Sequence, residues 1–322
     1  MEHSFIDYIT GQAMLPPRGS AYAAEVDQVF IGIYWLCVVL FVGITFATLY
    51  FAWRYRFKAG RVTPHFTHNT TLEILWSVGP LLICVGLFFW GLNGWMKFAV
   101  APGDAMEVVV TGKQWLWQFE YPDGSRTVND LHAPVNKPIK LTMTSEDVLH
   151  DFFVPDMRVK HDVVPGRYTQ IWFTPNVLGP HTFTCAEYCG KDHSGMKGIL
   201  TVESQEDFDK FVATGGSEWE PYRDGNNWAG WGKLQYERKG CNSCHSVDGT
   251  SSKGPTWKGL FGKTESFADG TTGVIDAAYL EQSMLQPNAK VVKGFEPIMP
   301  TFQGLLRNHE IKGLQAYIES LK

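Results

Sequence analysis

The sequence is short of positive charge: its 322 residues carry 28 Lys and Arg against 33 Asp and Glu, a formal net charge of −5. No basic run interleaved with aromatics occurs, and a nucleic-acid surface requires such a patch, so nucleic acid is excluded as a partner. Cysteine is scarce, at six residues. Cys37 and Cys84 fall in apolar runs, where a free thiol behaves as a small hydrophobe. The other four form two close pairs, Cys185/Cys189 and Cys241/Cys244, each followed by a His. That arrangement argues against a secreted disulfide framework and for metal chemistry. No internal repeat is apparent. No basic segment precedes the first apolar run, so that run is not an obvious cleaved signal and is expected to stay in the mature protein.

Charge is absent altogether from residues 30–53, over 24 positions. At ~1.5 Å per helical residue such a run reaches ~36 Å, enough to cross a hydrocarbon core of ~30 Å. Residues 72–95 form a second run with one carboxylate, Glu73, at its start. Trp35, Trp53, Trp90 and Trp95 lie in or near the two runs, and several would sit at headgroup level. The connection holds Arg54, Arg56, Lys58 and Arg61, whereas the outer flanks offer Arg18 and Lys97. The positive-inside rule then puts the connection in the cytoplasm and both chain ends outside. The expected layout is an external N-terminal segment (1–29) followed by a transmembrane hairpin (30–95).

From residue 103 to 203 the pattern changes to short alternating stretches. Residues 106–111, 115–121, 139–144, 168–173, 182–185 and 199–203 read as strands. Turn signals at Pro122-Asp-Gly124, Pro165-Gly166 and Leu178-Gly-Pro180 separate them. Many short strands in this length predict a Greek-key β-sandwich or barrel. Residues 204–227 are polar, with Gly215-Gly216 and Pro221; a short helix over 206–212 and a linker are expected. Helical periodicity returns at residue 228. Asn308 is the expected cap of a last helix whose Ile311, Leu314, Ile318 and Leu321 share one face. Residues 228–322 thus read as a small α domain. The strand region has 13 acidic and 9 basic residues, the last region 9 acidic and 11 basic. Opposite signs favour docking of one domain on the other, or else mark solvated faces with no role.

The chemistry is concentrated in two motifs. Cys185-Ala-Glu-Tyr-Cys189-Gly-Lys-Asp-His193-Ser-Gly-Met196 gathers two thiols, an imidazole and a thioether in one loop, a soft donor set suited to copper. A mononuclear blue-copper centre needs one Cys; a second thiol allows both sulfurs to bridge two coppers, so that one electron is shared and little moves on transfer. Each copper then needs an imidazole; His193 supplies one and His150 is the best candidate for the other. A Cys₂His₂ zinc site could use much of this set, but Met196 has no use there. The second motif, Cys241-Asn-Ser-Cys244-His245, is a covalent haem c signal; a redox-active CxxC is the alternative. The second axial donor must come from later in the chain. Met299, in Pro297-Ile-Met-Pro300, is rigidly placed, whereas Met284 lies in a helix-like stretch and reads as core. His/Met ligation would raise the reduction potential.

With Asp147-Val-Leu-His150-Asp-Phe-Phe-Val-Pro155, the cysteine loop and Gln114-Trp-Leu-Trp117-Gln-Phe-Glu-Tyr121 following a hairpin, the chain resembles subunit II of the haem–copper cytochrome c oxidases. The resemblance implies a cupredoxin-like dinuclear CuA domain with His150, Cys185, Cys189, His193 and Met196 as side-chain ligands. It further implies that Glu187 ligates through its carbonyl and turns its carboxylate to a Mg²⁺ shared with subunit I. Trp115 would be the point of electron input over the copper site, or a strand aromatic filling the sandwich, as Trp117 is expected to be. Residues 228–322 resemble class I cytochrome c domains. That implies the Pro255 carbonyl as the acceptor for proximal His245 and packing of Leu314 and Tyr317 on Leu234. Together these match a caa₃-type subunit II, a membrane-anchored multidomain chain: two-helix hairpin, cupredoxin-like domain, linker and all-α cytochrome c domain.

The implied function is electron input to a terminal oxidase in the bacterial inner membrane. An external cytochrome or respiratory complex would reduce haem c, and the electron would pass to CuA, then to haem a and the haem a₃–CuB centre of subunit I, coupled to proton pumping. Subunit III is the other expected partner, besides membrane lipid. The oxygen-reducing centre is not in this chain, which has two spans and lacks the necessary helical His residues. Glu73 resembles the mouth of a proton pathway into subunit I, although Thr70-x-x-Glu73 also reads as a capping box. A nitrous oxide reductase would need a large His-rich catalytic domain, and the chain has 10 His. A membrane-anchored haem c/CuA carrier would not need Glu73 or Glu187, a copper chaperone would not need haem, and a quinol oxidase subunit would not need intact copper ligands.

Overall fold

The computed structural model describes residues 13–62, 67–214, 222, 224–250 and 252–322. Part of the expected N-terminal segment and part of the expected linker, including Gly215, Gly216 and Pro221, lie outside the described residues. Two long helices come first, α1 (Ala23–Arg54) and α2 (Thr70–Phe98). They extend beyond the charge-free runs because polar residues continue the helical hydrogen bonding after the apolar requirement ends. None of the most apolar window of either helix is buried in the protein, as expected of faces made for lipid or for another membrane subunit. The cap of α2 is Asn69, whose side chain accepts from the Leu72 N–H at 3.1 Å. This corrects the expected Thr70 cap: Thr70 already has helical backbone, so its hydroxyl cannot reach forward to the unpaired donors.

A β-sandwich follows. One sheet has the order β3-β2-β1-β5-β8, from β1 (Met106–Lys113), β2 (Leu116–Glu120), β3 (Arg126–Val128), β5 (Ile139–Ser145) and β8 (Thr169–Phe173). The other is β4-β10-β9-β6-β7, from β4 (Asp130–Pro134), β6 (His150–Val154), β7 (Val159–Val163), β9 (Gly179–Cys185) and β10 (Lys197–Glu203). Period-two alternation builds the core: Ile139, Leu141 and Met143 point inwards from β5 to meet Trp117, Phe119, Phe152 and Phe183. Trp117 is fully buried, as expected. β3, β4, β6 and β7 were not among the strands expected from the sequence. β7 has three exposed polar residues in a row on a sheet edge, and β6 begins with His150-Asp151, so neither shows clean alternation.

The sandwich is pinned to the helix pair at the membrane end. Asp27 of α1 is buried between Arg18 and Arg158, each at 2.7 Å, and Lys97 of α2 pairs with Glu25 of α1 at 2.7 Å. Trp172 donates from Nε1 to the Phe98 carbonyl at 3.0 Å, with Tyr22 packed edge-on against both rings.

Beyond the sandwich lie α3 (Gln205–Thr214), α4 (Trp228–Arg238), a hairpin of β11 (Thr264–Ser266) and β12 (Thr272–Val274), α5 (Ala277–Leu285) and α6 (Asn308–Ser320). The hairpin is a small addition to the all-α domain expected. α4 and α6 cross closely because both present glycine: a Cβ on Gly232 would lie 1.9 Å from the Gly313 carbonyl oxygen. The first and last helices of the domain pack as expected, with Trp231, Gly232, Gln235 and Tyr236 the buried residues of α4 and Leu234 half-buried beside them. α6 is capped at Arg307, whose N–H donates to Glu310 at 2.8 Å, and Asn308 is its first helical residue rather than its cap.

The haem-motif domain sits directly on the sandwich. Leu116 and Val128 of the sandwich belong to the same apolar cluster as Tyr236, Leu260 and Ile275. α3 is held against β4 and β10 by Phe211, which stacks on His132 at 3.8 Å between ring centres. His132 is flanked by Asp130 at 3.2 Å and by Glu203. Burial alone would lower its pKa, but hydrogen bonds to Asp130 and Glu203 raise it to about 9. Since the folded value lies above the ordinary ~6.5, this contribution is complete below pH ~6.5 and is lost as pH rises through the folded value. The melting temperature of the protein should therefore fall from roughly pH 6.5 to 9, with a shallower slope in His132→Phe; parallel slopes would contradict it.

Candidate metal centre and haem cavity

The cysteine loop is a long connection between paired strands. β9 ends at Cys185 and β10 starts at Lys197, with Lys197 opposite Thr184 and the Cys185 N–H donating to the Met196 carbonyl at 2.9 Å. The loop's two ends are thus fixed by sheet hydrogen bonds. Gly190, at φ 116°, lets it fold back under Gln114 and Trp115; a Cβ there would lie 2.8 Å from Gln114 Nε2. β6 pairs with β9 through Phe152 opposite Cys185, so two residues earlier His150 arrives at the loop mouth. Gly112 leaves room for it: a Cβ there would lie 3.1 Å from the His150 ring and 3.2 Å from Trp117.

The donors converge. Cys185 Sγ and Cys189 Sγ are 3.7 Å apart and both residues are buried. His150 Nδ1 lies 3.9 Å from Cys185 Sγ, and His193 Nδ1 lies 3.6 Å from Cys189 Sγ. Met196 Sδ is 3.7 Å from Cys189 Sγ, and the Glu187 carbonyl is 3.2 Å from Cys185 Sγ. One ligand atom from each of His150, Cys185 and Cys189 falls within 4.8 Å of the others. Asp147 sits 2.8 Å from His150 Nε2, which turns Nδ1 towards the sulfurs. Burial lowers the pKa of His150, so its imidazole is neutral and ready to bind. Burial, then the neighbouring Cys185, pushes the Cys189 thiol up to about 12. Two sulfurs, two imidazoles, a thioether and a carbonyl exceed the four donors of a tetrahedral zinc site and fit two soft ions sharing both sulfurs.

The second site is a cavity of about 1360 Å³, including its open mouth, lined by Cys241, Cys244, His245 and Met299 among mostly apolar neighbours. Cys241 and Cys244 are free thiols at the two ends of one tight turn. His245 Nδ1 meets the Pro255 carbonyl at 2.8 Å, which leaves Nε2 for an iron. Gly254 has to be glycine, because a Cβ there would lie 2.5 Å from His245 Cε1. Met284 is buried in the core and Met299 is partly buried at the wall. Apolar lining, paired thiols and an imidazole fixed on one side fit a covalent haem.

Comparison with known proteins agrees with these two sites. The family model for cytochrome c oxidase subunit II, periplasmic domain, matches residues 125–203; that for its transmembrane domain matches 9–93; that for cytochrome c matches 231–322. The alternative cytochrome c oxidase subunit 2 of Bradyrhizobium diazoefficiens is 32% identical over 206 residues, covering 54% of this chain and 74% of that protein. The chain belongs to the cytochrome c oxidase subunit II family. Cytochrome c oxidase subunit 2 of Alkalihalophilus pseudofirmus is 28% identical over 324 residues, covering 96% of this chain and 90% of that protein. That of Cereibacter sphaeroides is 30% identical over 236 residues, covering 59% and 78%. With its cytochrome c domain fused behind the copper domain, the chain is a caa₃-type subunit II. It is a membrane-anchored oxidase subunit with a periplasmic domain, an electron-input role, copper and haem c.

Within this subunit II, His150, Cys185, Glu187, Cys189, His193 and Met196 come together in one place, and Cys241, Cys244, His245, Pro255 and Met299 in the other. Trp115 belongs to both. Its Nε1 donates to the Cys189 carbonyl at 3.3 Å, and the same residue lines the haem cavity. Glu73 stands apart, exposed in the first turn of α2. Three contacts went unread in the sequence: Asp147 on His150, Gln114 Nε2 donating to the Cys189 carbonyl at 2.7 Å, and the pairing of Lys253 with Asp192. The first could have been found from the Asp-x-x-His spacing.

Proposed function

We propose that this subunit takes electrons from an external cytochrome or respiratory complex at the haem cavity and delivers them through the copper loop to the oxygen-reducing subunit I, in support of proton pumping. The observation that carries this reading is the double placement of Trp115, at the wall of the cavity and on the carbonyl of Cys189. Covalent haem c and a dinuclear copper centre, when bound, supply reversible one-electron chemistry.

Cys241 and Cys244 would hold the haem by thioether links, His245 and Met299 would be its axial donors, and Pro255 keeps the His245 ring in place. His150, Cys185, Cys189, His193, Met196 and the Glu187 carbonyl would hold the copper pair. Sheet hydrogen bonds at both ends of the loop hold these donors in position through a change of charge. Trp115 gives a bonded route of short contacts from cavity to loop.

The exposed Glu187 side chain and the exposed Tyr188 beside it face outwards from the copper loop. This favours docking of that face on subunit I, with Glu187 sharing a Mg²⁺ there. Arg54, Arg56, Lys58 and Arg61 between the helices support a cytoplasmic connection and external termini in the bacterial inner membrane. Glu73, at the cytoplasmic start of α2, is then placed to admit protons to subunit I. Subunit III completes the expected assembly.

Trp115→Leu should slow transfer from reduced haem c to the copper site by about tenfold, or ~1.4 kcal/mol on the barrier, with both spectra unchanged; an unaltered rate would remove Trp115 from the path. Two further substitutions separate the carboxylates. Glu73→Gln should slow turnover and proton uptake with copper and haem spectra intact, and Glu187→Ala should lose Mg²⁺ from the purified complex; normal turnover or retained Mg²⁺ overturns the respective role.

A further inference from the structure

Two loops that carry the two redox sites touch each other through a pair of charges. Lys253 Nζ lies 2.9 Å from Asp192 Oδ1, and both side chains are largely withdrawn from water, at 13% and 19% exposure. The same ammonium lies 4.4 Å from the centre of the Trp115 ring. Among the described residues neither Lys253 Nζ nor Asp192 Oδ2 has a directed hydrogen-bond partner, and the 2.9 Å contact between Lys253 and Asp192 is an ion pair. At such exposure solvent and salt screen that attraction less than at an open surface, and the indole face adds its own attraction for the cation.

Each partner is rigidly connected to a site. Lys253 precedes Gly254, whose N–H donates to the Cys244 carbonyl at 2.8 Å, and Pro255, which holds His245. Asp192 precedes His193 and is packed against Gly195, where a Cβ would lie 3.0 Å from the Asp192 carboxylate. Trp115 lies between these loops, with its Nε1 on Cys189. Close to the cavity Leu116 and Val128 make apolar contact, and elsewhere on the seam Asp130 faces Arg238 and Lys239. Apolar contact is non-directional and would tolerate sliding of one domain on the other. A point charge fixed on the haem loop and its counter-charge fixed on the copper loop set the register where the two redox loops meet.

We propose that Lys253 is a positioning residue that latches the haem loop to the copper loop, across the Trp115 indole and onto Asp192, and so fixes the separation over which an electron crosses. The proposal rests on the electron route argued above. A single electron moves and no covalent bond changes, so Lys253 acts by geometry and charge and touches neither reacting centre.

The test compares Lys253→Met, which keeps the apolar stem, with Lys253→Arg, which keeps the charge and can stack on indole, both in the assembled complex. Lys253→Met should raise deuterium uptake together in residues 185–196 and 252–257. It should also slow haem-to-copper transfer after flash reduction by about tenfold, as loss of one partner of a withdrawn charge pair predicts, with external-donor KM and both spectra unchanged. Lys253→Arg should stay within about twofold of wild type. Unchanged exchange and rate in Lys253→Met overturn the latch, as does an equal loss in Lys253→Arg. Absence of haem-to-copper transfer in the unmutated complex would instead overturn the route itself.

Discussion

Two sulfur atoms 3.7 Å apart in a buried loop set the terms for the rest of this protein. As thiols they are tolerated there; as a pair of thiolates they need a compensating positive charge, because burial and mutual repulsion hold the Cys189 proton on up to about 12. A bound cation removes that penalty, so metal loading and loop order are one equilibrium. The surrounding residues meet the needs of such a site. Two imidazoles approach from different elements, one kept neutral by burial and oriented by Asp147. A thioether and a carbonyl complete the set. The β9–β10 pairing makes the loop a closed structure that need not rearrange when its charge changes by one.

The neighbouring haem domain is organised around the same requirement. Its cavity is apolar, its imidazole is fixed by a backbone carbonyl, and its wall is completed by a residue of the other domain, Trp115. Haem cavity and copper loop therefore share a boundary one side chain thick. Leu116 and Val128 extend the haem-domain core into the sandwich. The opposite net charges of the two domains are expressed locally at Lys253 and Asp192. At the other end of the sandwich, Asp27 between Arg18 and Arg158 ties the domain to its membrane helices. Haem cavity, copper loop and membrane helices thus form one connected stack.

Much of this was legible in the sequence where the signal is local. The copper loop packs five of its donor-bearing positions into twelve residues, and Cys241-x-x-Cys244-His245 is contiguous. The two spans are visible because the bilayer demands unbroken apolar length. Legibility fails where the partner is distant. His150 could be named from the chemical need for a second imidazole, but the pairing of Phe152 with Cys185 that brings it to the loop could not, and β4 is a parallel partner of β10 some 69 residues on, with Leu131 opposite Leu200. β7 carries polar residues on both faces because it is an edge. Caps at Asn69 and Arg307 differ from Thr70 and Asn308 because adjacent polar residues compete for one position, and backbone geometry decides between them. The Lys253–Asp192 contact joins two loops of different domains and leaves no local pattern to read.

The central claim is that the loop of Cys185 and Cys189 holds two coppers sharing both sulfurs. Metal analysis and electron paramagnetic resonance on the copper-loaded chain test it most directly. The account predicts two copper ions per chain and, in the oxidised form, a signal from one unpaired electron spread equally over both nuclei. One copper per chain with a localised signal, or zinc bound in preference to copper, would contradict it.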